Sequence, residues 1–81
     1  MIDIDEQIQL RQAVVDDFVQ EHPEFKDNAW HYKDVQDVFE ITSFGGGFAF
    51  CTRKSDGVKG TLDFDRHIGE RIYFGFRPRR S

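Results

Sequence analysis

The chain has 81 residues, among them nine Phe, two Tyr and one Trp. That aromatic content excludes a disordered chain and calls for one packed domain. Its single Cys51 excludes an internal disulfide, and a secreted domain this small would need several, so the expected compartment is a reducing cytoplasm. The segment MIDIDEQIQL has neither the basic nor the apolar region of a signal peptide, and no apolar run reaches the ~18 residues that would span a membrane.

The first expected element is a helix from about residue 3 to residue 21. Ile4, Ile8, Val14, Val15, Phe18 and Val19 fall in one stripe at helical spacing. Asp5, Glu6, Asp16 and Asp17 form an acidic opposite face. Arg11 lies inside the stripe, where its stem covers apolar surface while its head seeks water or a carboxylate. Pro23 ends the helix. Residues 22–37 form a connection anchored by Phe25 and Trp30, with turn chemistry at Asp27-Asn28.

Alternating polarity follows. Strands are expected at Val38–Phe44, Phe48–Lys54, Val58–Asp65 and Arg71–Phe76. Gly45–Gly47 turns the first pair, Asp56-Gly57 the second, and the loop around Gly69 the third. The expected fold is therefore α+β, with one N-terminal helix on one face of a four-stranded antiparallel meander spanning residues 38–77. A basic tail occupies residues 78–81. Alternation places Phe39, Ile41, Phe48, Phe50, Val58, Leu62, Phe64, Ile72, Phe74 and Phe76 against the helix. It leaves Ala49, Cys51, Arg53, Lys59, Tyr73, Gly75 and Arg77 on the open face.

GGFAFCTR resembles the signature strand of the RNA recognition motif, with matches at Gly47, Phe48, Ala49 and Phe50. In that family the aromatics stand on the open face and stack bases, and the companion strand precedes the signature strand. Here RIYFGF follows it, Gly46 replaces a basic residue and Cys51 an aliphatic one. The patterning also turns Phe48 and Phe50 inward, so the family's binding residues are not carried over.

LDFDRH puts Asp63, Asp65 and His67 on one side of a strand, the donor types for a divalent cation or for acid–base work. No Lys, Ser or Cys motif accompanies the trio. Neither enzymatic activity, nor a metal, nor a cofactor is expected.

Charge is divided. The chain is −4 overall, with eleven acids against three cations in residues 1–40 and four acids against eight cations in residues 41–81. Split charge marks interaction surfaces. The expected function is a small non-enzymatic protein-binding module, such as an inhibitor or accessory factor of a phage or other mobile element. It would act through the acidic helix face and through a basic sheet face of Arg53, Lys59, Tyr73 and Arg77, extended by Arg79 and Arg80 in the tail. The alternative is nucleic-acid binding by that same basic surface, with Tyr73 stacking on a base. Head-to-tail self-association of basic sheet on acidic helix is a variant of the first reading.

Overall fold

A computed structural model of the chain describes the backbone of residues 4–79 and the side chains of residues 9–79. The order of elements is α1 (Ile4–Glu21), a 3-10 turn (Pro23–Phe25), β1 (Ala29–His31), α2 (Val35–Val38), β2 (Phe39–Gly45), β3 (Phe48–Arg53), β4 (Lys59–His67) and β5 (Glu70–Pro78). The class is α+β with a helix packed against an antiparallel sheet, as expected, but the sheet has five strands rather than four. The extra strand, β1, lies within the segment read as a connection. It pairs antiparallel with β5, placing Trp30 opposite Tyr73 and His31 opposite Ile72. Val38, read as the start of a strand, closes the short helix α2 instead.

The spatial order of strands is β1-β5-β4-β3-β2. Consecutive elements β1 and β2 therefore stand at opposite edges, and the stretch between them must cross a face of the sheet. It carries Val35, fully buried against Phe39, Ala49, Cys51, Leu62 and Tyr73. Trp30 and Phe39, from the two edge strands, meet edge to face at 4.9 Å, so the sheet curls until its edges share one interior. Fully burying each large apolar side chain there contributes roughly 1.5–3 kcal/mol.

Two irregularities make this curl. Between β2 and β3 the register slips between Ile41 and Ser43, leaving Thr42 as the extra residue. Between β4 and β5 it slips opposite Leu62, where Gly75 adopts φ +68. A side chain is disfavoured in that conformation. Asn28 secures the bulge: its carbonyl accepts from Gly75 N–H at 2.9 Å, and its side-chain oxygen accepts from Phe76 N–H at 3.0 Å. Each added residue reverses the alternation beyond it and bends the strand.

The result corrects the expected facing. Ala49 and Cys51, read as open, are buried in the curled interior. Phe48 and Phe50, read as buried, point to the opposite face, Phe48 exposed and Phe50 half-buried. Tyr73, read as open, is buried. The expectation assumed a single covered face, but both faces carry a core. On the outer face α1 packs Val15 and Phe18 over Ile72, with Val14, Val19, Phe25, Ala29 and Phe74 around them. Arg11 reaches a carboxylate as expected: its Nε donates to Asp34 Oδ2 at 3.2 Å, and a terminal nitrogen stands 3.1 Å from Oδ1. This fork joins α1 to the start of α2.

Candidate functional site

The residues expected to form one basic face are dispersed. Arg53 lies on the inner side, held to Asp56 at 2.7 Å and stacked over Phe76 at 5.2 Å. Its hydrogen bonds hold the Asp56 carboxyl below the usual range and raise its own guanidinium pKa. Lys59 and Arg77 stand on the outer side and are exposed, with Arg77 3.6 Å from Asp63. Arg79 continues beside them, its N–H donating to the Lys59 carbonyl at 2.8 Å. Tyr73 is on the other face from Lys59 and Arg77 and is unavailable for stacking. Arg80 lies outside the described residues, as do the side chains of Asp5 and Glu6. Asp16 is exposed on α1, whereas Asp17 turns toward the sheet and meets His67.

Asp63, Asp65 and His67 each take a different partner. Asp63 faces Arg77, Asp65 Oδ1 accepts from the Arg66 N–H at 2.8 Å, and His67 turns to α1. Cys51 is buried, its thiol directed at the Gly60 carbonyl at 3.7 Å, and burial pushes its pKa up, which disfavours the thiolate.

The surface that the fold does assemble lies at the end of the sheet where β4 turns into β5. A groove of about 390 Å³ opens there, lined among others by Tyr32, Gln36, Ile41, Arg66, Glu70 and Arg71. Its lining includes Tyr73, from which a row of aromatic rings continues across the sheet. Phe44 meets Phe64 edge to face at 5.7 Å, and Phe64 meets Tyr73 at 5.7 Å. The Arg71 guanidinium stacks over Phe64 at 5.3 Å. Among the described residues no carboxylate lies within ion-pair distance of Arg66 or Arg71. Tyr32 of the lining is 40% exposed; outside the lining, Phe44, against Phe64, is 56% exposed and Ile68, in the β4–β5 turn, 66%.

Ile68 has a second peculiarity. It begins the two-residue turn between His67 and Glu70 with φ 51, and Gly69 follows with φ 75. A turn of this kind favours Asn or Asp followed by Gly. A β-branched residue in the left-handed region is strained, by roughly 1–3 kcal/mol. The chain thus holds an exposed isoleucine where a polar residue would be cheaper.

No family model, curated protein or solved structure matches the chain.

On the outer side of the sheet, opposite Ile72 in the β1–β5 register, lies the buried His31. Its Nδ1 accepts from the Lys33 N–H at 3.1 Å, and its Nε2 finds no hydrogen-bond partner among the described residues, with Glu70 Oε2 at 3.7 Å. Burial lowers its pKa, opposed by the nearby carboxylates Glu70 and Asp34.

Sequence reasoning missed most of this site. Phe44 and Phe64 were legible only as strand residues and Arg66 only as part of a loop, because β4 runs on to His67 and the β2 bulge that brings Phe44 to the inner side has no strong signal in ITSF. The one available signal was Ile68-Gly69, an apolar residue in a turn that prefers Asn-Gly.

Proposed function

We propose that the protein is a binding module whose docking surface is the groove at the β4–β5 turn. Its occupant is an acidic segment of a partner protein that carries a large apolar side chain. The observation that carries this reading is Ile68, exposed and strained in the turn that follows the Arg66–Arg71 pair, two groove-lining arginines with no ion pair among the described residues. Strain kept in an exposed position supports a role in binding, since stability alone would favour its removal. The arginines supply charge complementarity, which steers association and sets register. Phe44, Tyr32 and Ile68 supply apolar contact, the kind of residue that anchors an interface.

Selection of displayed peptides against the immobilised protein tests this. Enrichment of sequences pairing Asp or Glu with a large apolar residue is expected, with binding lost in Arg66→Glu/Arg71→Glu and kept in Lys59→Glu. Peptides without acidic bias, or binding that survives the double reversal, would overturn it.

A second reading is supported by Phe48 and Phe50. Both face the side of the sheet that carries Lys59 and Arg77, an arrangement suited to stacking bases of a single strand along a cationic track. Glu40 and Asp63 on the same side weaken that track. An unstructured oligonucleotide whose affinity falls steeply with salt, and falls again in Phe48→Ala, would favour this reading over the peptide groove.

A further inference from the structure

We infer that Asp17, Glu21 and His67 form a binding site for a first-row divalent cation, with zinc the best fit, which clamps α1 to β4. Asp17 and Glu21 are spaced i, i+4 on the last turns of α1, so both carboxylates leave the same side of the helix. His67 approaches from the end of β4, its Nε2 at 2.6 Å from Asp17 Oδ2 and 3.3 Å from Glu21 Oε2. One ligand atom from each of the three lies within 4.8 Å of the other two.

The ring of His67 is held for this role. It packs edge to face on Phe18 at 5.6 Å and is largely covered, while its Nε2 faces the carboxylates. The electrostatics also call for a cation. Two neighbouring anions repel, and they sit at the helix end whose carbonyl dipoles already carry negative charge. The last turn of α1 holds no Lys or Arg to offset them.

The donor set selects the ion. One imidazole nitrogen and two carboxylate oxygens suit zinc, whose bonds of roughly 2.0–2.2 Å place tetrahedral ligands about 3.3 Å apart. The Glu21 contact already matches, and the Asp17 contact needs to open by less than ~1 Å. Magnesium and calcium favour all-oxygen shells and gain little from the imidazole. Three protein ligands leave one position for water. His67 immediately precedes Ile68 in the same turn, but the inference rests on Asp17, Glu21 and His67 alone and not on the groove reading.

Chelator-treated protein titrated with zinc chloride, followed by calorimetry and by thermal melting, tests the inference. One ion per chain is expected, with Tm rising on the order of 10 °C at a hundredfold excess over Kd. The Nε2 resonance of His67 should shift in a ¹⁵N spectrum. Asp17→Asn and Glu21→Gln should each weaken binding tenfold or more, while His22→Gln should not, and magnesium should produce no melting shift. Both carboxamide variants lie on exposed positions and retain the fold, as their unliganded melting would show. No zinc-dependent shift, a shift that follows His22, or one unchanged in Asp17→Asn and Glu21→Gln would each overturn the site.

Discussion

The ring of Phe76 occupies the space that a side chain at Gly60 would need. A Cβ placed on Gly60 would stand 2.7 Å from Phe76 Cε1 and would also strike the carbonyl oxygen of Arg77. Neither neighbour is free to move, since Phe76 packs on Phe39 at 4.8 Å and Arg77 belongs to the β4–β5 ladder. Gly60→Ala should therefore destabilise the fold by about 1–3 kcal/mol, the usual cost of overpacking. Urea unfolding of the variant beside the parent checks this, and a change within a few tenths would mean that the ring is loosely held.

The facing of β3 gives a sharper contrast. Ala49 lies opposite Leu62, and both are fully buried, whereas Phe48 lies opposite Asp63 on the outer side. Ala49→Asp should abolish cooperative unfolding, because an unpaired buried carboxylate costs several kcal/mol. Phe48→Asp should leave a folded domain with a modest loss. Circular dichroism with thermal melting distinguishes the two, and the opposite ranking would reverse the sheet.

Ile68→Asn should raise stability by about 1 kcal/mol by relieving the left-handed strain and supplying the favoured Asn-Gly turn. The same change should weaken binding of the peptides selected on the groove. Gain of stability without loss of affinity would separate the strained turn from docking.

His31 makes stability depend on pH. The unfolded chain takes up a proton near the ordinary histidine value of about 6.5, whereas the folded chain takes it only at lower pH, because burial disfavours the imidazolium. Glu70 and Asp34 favour the proton, and Arg11 and Lys33 oppose it. Unfolding therefore binds a proton, and the His31 contribution is complete above about pH 6.5 and lost as pH falls below it. Urea midpoints at pH 7.5 and pH 5.5 should differ less in His31→Gln than in the parent, and an unchanged difference would refute the assignment.

Much of the fold was legible because its signals are local. The helical stripe from Val14 to Val19, Pro23 as its stop, Asp56-Gly57 and the period-two strands all locate themselves within a few residues. Arg11 was legible too, as a long cation needing an acid at the edge of the core. What stayed hidden was non-local. β1 is three residues long and acquires its identity only by pairing with β5. Thr42 and Gly75 change which residues face inward without any change in local polarity. Simple alternation thus carried Phe48 and Phe50 inward and Ala49 outward, and dispersed the basic face read from Arg53, Lys59, Tyr73 and Arg77. The site suffered most, since Tyr32, Ile41 and Arg71 line one groove only after the sheet has curled.

Strand β5 serves both cores at once: Ile72 and Phe74 look toward α1, while Tyr73 and Phe76 look into the curl. The helix belongs to one core only. Its departure would uncover Ile72 yet leave Trp30, Phe39 and Leu62 enclosed by the sheet. The molecule accordingly has a graded route of opening, in which α1 forms a separable unit and the strands a second. Amide protons of α1 should exchange with solvent well before those at the centre of β5, and an ion held by Asp17, Glu21 and His67 would narrow the interval between them.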